Sequence, residues 1–237
     1  GDGRDGPAPG RWRPVILPSS LYGFSRRGFL GSALALGACQ PAAQSQTPVA
    51  NLPPLKSVAP FPVGTAVQAG HLTDPALARL IAAQASQLTP EWEMKMEYIV
   101  RDDGTFRFEA PDAIAAFARD NGLGLFGHTL VWYAQSSPAF ERLDEGRVSF
   151  AQAYRNYIHA VVGRYRGQAV GWDVVNEAVA EDGEGWRDSL WSQRLGAFDH
   201  MVLAFRNARE ADPNAQLFLN DYNLELLPKK RATFLRL

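Results

Sequence analysis

The chain has 237 residues, 46% of them hydrophobic and 21% charged, and a formal net charge of -1. That balance describes an ordinary soluble globular protein with a sizeable core, and a charge so close to zero gives no reason to expect nucleic acid as a partner. The single cysteine, Cys39, excludes an internal disulfide framework.

Residues 1 to about 60 do not read as part of the fold. The chain starts Gly/Pro/Arg-rich and without periodicity. Ser25-Arg26-Arg27-Gly28-Phe29-Leu30 then precedes a modestly apolar run over residues 30–38. The run is too short to span a bilayer, and an arginine pair before it resembles a twin-arginine export signal. Leu36-Gly37-Ala38-Cys39 resembles a lipobox, which makes Cys39 the expected lipidation site and point of membrane attachment. Residues 40–60, rich in Pro, Ala, Gln and Ser, read as a tether. The leader therefore predicts export, to the periplasm or the cell surface.

Beyond it, strands and helices alternate. Residues 61–67 read as a strand. Asp74-Pro75 supplies an N-cap and a first-turn proline for a helix with Leu77, Leu80 and Ile81 at helical spacing. Residues 86–90 form a second strand, and residues 101–109 a loop or small hairpin around Asp103-Gly104. The next helix, from about Pro111, turns Ile114, Phe117 and Ala118 inward and stops before Gly122. Residues 123–132 are the third strand. Ser149 is the expected cap of a longer helix striped by Phe150, Tyr154, Ile158, Val161 and Tyr165, and Gly167 ends it. Residues 169–177 are the fourth strand. Leu195, Phe198, Val202, Phe205 and Ala208 mark one further helix that ends at Asp212-Pro213, residues 216–220 are the fifth strand, and Pro228 opens the last helix.

Five strand-then-helix units predict a parallel sheet with helical crossovers, built either as an eight-stranded barrel or as an open doubly wound sheet. No glycine-rich phosphate loop follows the first strand, so no nucleotide cofactor is expected. Polar and aromatic clusters instead follow nearly every strand, where a barrel builds its site. They are Thr89-Pro90-Glu91-Trp92-Glu93-Met94-Lys95, Gly127-His128-Thr129-Leu130-Val131-Trp132-Tyr133-Ala134-Gln135, Trp172-Asp173-Val174-Val175-Asn176-Glu177 and Asn220-Asp221-Tyr222-Asn223. Carboxylates, amides, an imidazole, an ammonium and rings together suit a neutral polyhydroxylated substrate. A Glu at a strand end can protonate a glycosidic oxygen while the Asn beside it holds a sugar hydroxyl. Metal binding at His128 is not expected, because no second His stands at ligand spacing.

These segments, in this order, resemble glycoside hydrolase family 10, the endo-1,4-β-xylanases, over residues 61–237. The resemblance implies a (β/α)8 TIM barrel and cleavage of xylan, or a related plant polysaccharide, with retention of configuration. It implies that Glu177 is the acid/base, that Glu91, Lys95, His128, Trp132, Gln135 and Asn176 line the subsite of the attacked sugar, and that Tyr222 offers a ring on the leaving-group side. The chain departs from the family at Trp92, where Asn is usual, at Met96, where Trp is usual, and at Phe126 and Tyr133. A full barrel takes about 250 residues, and retention needs a second carboxylate. The family's nucleophile lies on a seventh strand, and no Glu after Glu177 sits in a matching motif. The expectation is a barrel represented by about its first five units, inactive alone. A second reading is a non-catalytic surface lipoprotein that binds polysaccharide.

Overall fold

The computed structural model describes residues 52–143 and 147–236. The arginine pair, Cys39 and most of the expected leader lie outside the described residues. Residues read from composition as the end of the tether form a short helix, α1 (Leu55–Val58). Its Leu55 N–H donates to Gln84 Oε1 at 2.9 Å, and Lys56 Nζ donates to the Ala82 carbonyl.

β1 (Gly64–Val67) leads through a 3-10 turn (Ala69–Thr73) to α2 (Pro75–Gln84). Asp74 Oδ1 starts α2 by accepting from the Ala76 and Leu77 N–H groups at 2.7 and 3.3 Å, with Pro75 at the first position. β2 (Gln87–Pro90) is followed by α3 (Met96–Ile99) and α4 (Glu109–Asp120), β3 (Gly124–Trp132) by α5 (Pro138–Glu141) and α6 (Arg147–Arg164). β4 (Ala169–Asn176) precedes α7 (Leu190–Leu195) and α8 (Asp199–Ala211), and β5 (Gln216–Asn220) precedes α9 (Pro228–Phe234).

The five strands form one sheet in the order β1-β2-β3-β4-β5, every pairing parallel. Crossovers between parallel strands share one hand, so a sheet that never reverses its order keeps its helices on one side and curves as a barrel wall. A doubly wound sheet would reverse at a switch point. The architecture is the α/β class expected, five consecutive units of a (β/α)8 wall.

Between the wall and its helices lies the core. Phe150, Tyr154, Ile158, Val161 and Tyr165 of the α6 region are all at most 2% exposed, as their spacing predicts. Trp172 of β4 is fully buried, and its ring covers Gly127 of β3 so closely that a Cβ there would fall 2.0 Å from Trp172 Cε3. Glycine is required at 127 for that reason.

Two helix readings need correction. Ser149 lies inside α6, which begins at Arg147, and so does not cap it. The stripe from Leu195 to Ala208 is not one helix. Gly196 takes φ +105° and ends α7, and α8 restarts at Asp199 in a different phase. Its buried face is His200, Met201, Ala204, Asn207, Ala208 and Ala211. Small alanines allow close approach to neighbouring elements, whereas the bulkier Phe198, Val202 and Phe205 line an apolar cleft of about 420 Å³ with Leu219. The sequence pattern weighted bulk, and packing chose size.

Burial lowers the pKa of His200 to about 4. The unfolded chain therefore takes up the proton first. His200 contributes stability that is fully present above its ordinary value near 6.5 and is lost as pH falls towards 4. Urea titrations of the protein at pH 7 and pH 4 should differ through this group by on the order of 3 kcal/mol. His200→Phe should remove that part of the slope, and an unchanged pH dependence would contradict it.

Candidate active site

Parallel strands in sequential order bring their C-terminal ends to one edge, so residues far apart in sequence meet there. β4 delivers Asn176, 4% exposed, and then Glu177. Glu177 stands at φ +55°, a conformation a side chain with a Cβ rarely adopts and one that turns the chain sharply off the strand. Its N–H donates to the Asn220 carbonyl at 2.7 Å. Its Oε2 accepts the indole N–H of Trp132, the last residue of β3, at 2.9 Å. Asn220, at the end of β5, donates through Nδ2 to Asn176 Oδ1 at 2.7 Å, which leaves the Asn176 amide nitrogen to donate elsewhere.

His128 and Asp173 are paired across β3 and β4, short of the strand ends. His128 Nδ1 lies 2.8 Å from Asp173 Oδ2. A carboxylate only accepts, so the imidazole proton sits on Nδ1 and the Nε2 lone pair faces away from this bond. Asp173 also anchors Thr129, whose Oγ1 donates to the Asp173 carbonyl at 2.8 Å.

Lys95 and Glu91 follow β2 but form no ion pair with each other. Glu91 is exposed and accepts from Gln68 Nε2 at 3.1 Å. Lys95 Nζ lies over two rings instead, 5.0 Å from the Trp132 centroid and 5.5 Å from that of Trp92. Trp92, Lys95, Glu97, Tyr98, Arg107 and Gln135 line a cleft of about 250 Å³. Gln135 Oε1 is buried and has no hydrogen-bond partner, an acceptor available to a hydroxyl. The Trp92 ring, 47% exposed, stands in the cleft wall. Trp132 ties this cleft to Glu177, since one ring carries both the Lys95 contact and the hydrogen bond to the carboxyl.

Tyr222 lies beyond β5, 39% exposed, and its hydroxyl donates to Glu181 Oε2 at 2.6 Å and accepts from Arg187 Nη2 at 2.8 Å. The Arg187 guanidinium also covers the Tyr133 ring, 4.2 Å from its centroid. The Tyr222 hydroxyl, ahead of the Lys230 ammonium, holds the Glu181 carboxyl down to about 2. Burial works against the charge of Lys230, but the hydrogen bonds it donates to Asp221 and Glu181 outweigh it and raise its pKa above the ordinary lysine value. Gln68, Asp173, Glu181, Arg187 and Lys230 were not among the expected site residues. Asp173 stood in the sequence only as part of the segment over residues 172–177, and no spacing rule points to the others. No group of three or more metal-ligating side chains occurs among the described residues.

A carboxyl group thus stands at a barrel strand end, held by an indole and flanked by amides and an aromatic cleft. Comparison with known proteins gives the family. The model for "Glycosyl hydrolase family 10" matches residues 55–237, and the chain belongs to that family. It is 40% identical over 195 residues to endo-1,4-beta-xylanase A of Thermotoga maritima, covering 78% of this chain and 18% of that protein. It is 42% identical over 177 residues to endo-1,4-beta-xylanase B of Paenibacillus barcinonensis, covering 72% and 52%. The crystal structure of xylanase XynB from Paenibacillus barcinonensis with a conduramine derivative superposes with a TM-score of 0.71 at 35% identity, over 79% of this chain and 57% of that one. A psychrophilic family 10 endo-beta-1,4-xylanase gives 0.72 at 33% identity, over 78% and 60%. The chain spans about half, or less, of the length of these curated relatives.

The His128–Asp173 pair makes a spectroscopic prediction. A long-range proton–nitrogen NMR spectrum of the protein should show neutral His128 protonated on Nδ1. Asp173→Ala should release that tautomer and lower stability by about 1.5–3 kcal/mol, the usual range for a hydrogen bond to a charged group. A wild-type His128 protonated on Nε2 contradicts the assignment.

Proposed function

We propose that this chain carries the acid/base portion of an endo-1,4-β-xylanase that cleaves internal bonds of xylan with retention of configuration. The observation that carries the reading is the Trp132 indole bonded to the Glu177 carboxyl at the end of β4, beside the Lys95–Gln135 cleft. The names of the similar proteins support the substrate.

In this reading Glu177 protonates the glycosidic oxygen as its bond to the anomeric carbon breaks, and a second carboxylate takes that carbon. Glu177 then accepts a proton from the water that releases the sugar. The Trp132 N–H fixes one carboxyl oxygen and leaves the other to face the substrate. Asn176, His128 Nε2 and Gln135 Oε1 meet sugar hydroxyls, and the Trp92 and Trp132 rings meet apolar sugar faces. Trp92 offers surface where the family's Asn would offer a hydrogen bond. Tyr222 borders the leaving-group side. The attacking carboxylate is a second acidic residue, a role that this reading gives to none of the residues named here.

Glu177→Gln in the gene's full translation product tests the acid. Turnover on xylan should fall by about 100-fold or more, since positioned acid catalysis contributes about 10²–10⁴. In pre-steady-state measurements, the first step on aryl glycosides with activated leaving groups should suffer much less. Equal losses on both substrates would sink the assignment.

Export by the twin-arginine route and lipid attachment at Cys39 complete the proposal. Mass spectrometry of the mature protein should find a lipidated Cys39 at its N-terminus. A mature chain that keeps residues before Cys39, or carries no lipid there, would refute the anchoring.

A further inference from the structure

Lys230 of α9 is fully buried, with 0% of its side chain exposed. A lysine is hardly ever so placed unless its charge is met. Its Nζ lies 2.9 Å from Asp221 Oδ1, on a side chain that is also 0% exposed, and 3.2 Å from Glu181 Oε2. The Tyr222 ring closes the third side, its centroid 3.6 Å from Nζ. Replacing such a buried ion pair by apolar groups of similar volume is often neutral or stabilising, so stability alone does not account for it. What the pair holds is more telling. The second oxygen of Asp221 accepts the Val179 N–H at 3.0 Å, two residues beyond Glu177. The residue before Asp221 accepts the Glu177 N–H itself. Thr233 of α9 donates to the Gly183 carbonyl at 2.7 Å, and a Cβ on Gly183 would fall 2.7 Å from Lys230 N. The segment that leaves Glu177 thus runs directly over α9 with no room between. None of these groups has a part in the acid/base chemistry.

We propose that Lys230 is a positioning residue for Glu177 and Tyr222 together. Through Asp221 it fixes the backbone that follows Glu177, at the Val179 N–H, and the strand end whose Asn220 carbonyl accepts the Glu177 N–H. Through Glu181 and its own contact with the ring it fixes Tyr222. One ammonium, with three donors on a compact head, sets the acid and the leaving-group ring in a constant relation. The proposal rests on the acid/base reading of Glu177, but its test needs no turnover.

The reporter is the Trp132 indole proton, which is bonded to Glu177. It is observed by NMR in the full translation product with nitrogen-labelled tryptophan and assigned through Trp132→Phe. In Lys230→Met the resonance should move to the position it takes in Glu177→Ala, which shows the bond lost. Asp221→Asn, which preserves shape, should move it the same way and serves if Lys230→Met does not fold. The double variant Lys230→Met/Asp221→Leu should recover the melting temperature without recovering the resonance, which a merely structural role does not predict. An indole resonance unmoved in both single variants overturns the proposal, whatever the melts show. If the resonance moves as expected while Glu177→Gln keeps full turnover, the coupling stands and the acid/base reading falls.

Discussion

A single residue in an unfavourable backbone conformation organises the site. Glu177 sits at φ +55° at the end of β4, and the structure around it reads as the set of contacts that hold it there. The Asn220 carbonyl accepts its N–H, and its carboxyl accepts the Trp132 indole N–H. Those partners belong to β5 and β3, the two neighbours of β4 in the sheet. The turn is stabilised from both sides by strands that are far away in sequence and adjacent only because the sheet keeps its order. A strained residue persists only when its surroundings over-determine it, and three adjacent strand ends do that here.

The same logic explains the rest of the edge. Strand ends provide polar groups in register, and side chains bond across neighbouring strands: His128 to Asp173 and Thr129 to the Asp173 carbonyl between β3 and β4, and Asn220 to Asn176 between β4 and β5. Each bond leaves a defined group unspent. Asn176 keeps its amide nitrogen, His128 keeps Nε2 and Gln135 keeps a buried Oε1 with no partner. These are the groups a sugar would need. The aromatic rings meet cations, Trp132 and Trp92 at Lys95 and Tyr133 at Arg187, and Trp132 and Tyr133 also meet edge to face with centroids 6.0 Å apart. Stacking surface and charge are thereby held in one layer.

Much of this was legible in the sequence because it depends on local rules. Asp74-Pro75 starts α2, Gly122 and Gly167 with positive φ follow α4 and α6, and the α6 stripe is buried at the spacing that predicts it. The strand ends carrying Glu91, Trp132, Asn176 and Tyr222 followed from alternation alone. What was not legible depends on phase and on long-range pairing. The break at Gly196 shifts α8 out of register with α7, so Phe198, Val202 and Phe205 fall off the buried face. Lys230 could be read only as a helical surface lysine, since the carboxylates that bury it come from residues 181 and 221. The contact of Trp132 with Glu177 likewise needs the β3–β4 register, which no single segment carries.

A crystal structure of the protein with a xylo-oligosaccharide tests the central claim most directly. The account predicts a glycosidic oxygen within hydrogen-bonding reach of the Glu177 oxygen not bonded to Trp132, about 2.6–3.2 Å. It also predicts a sugar hydroxyl on Gln135 Oε1 and a ring against Trp132. An oligosaccharide bound elsewhere, or one whose glycosidic oxygens all lie out of reach of Glu177, would contradict it.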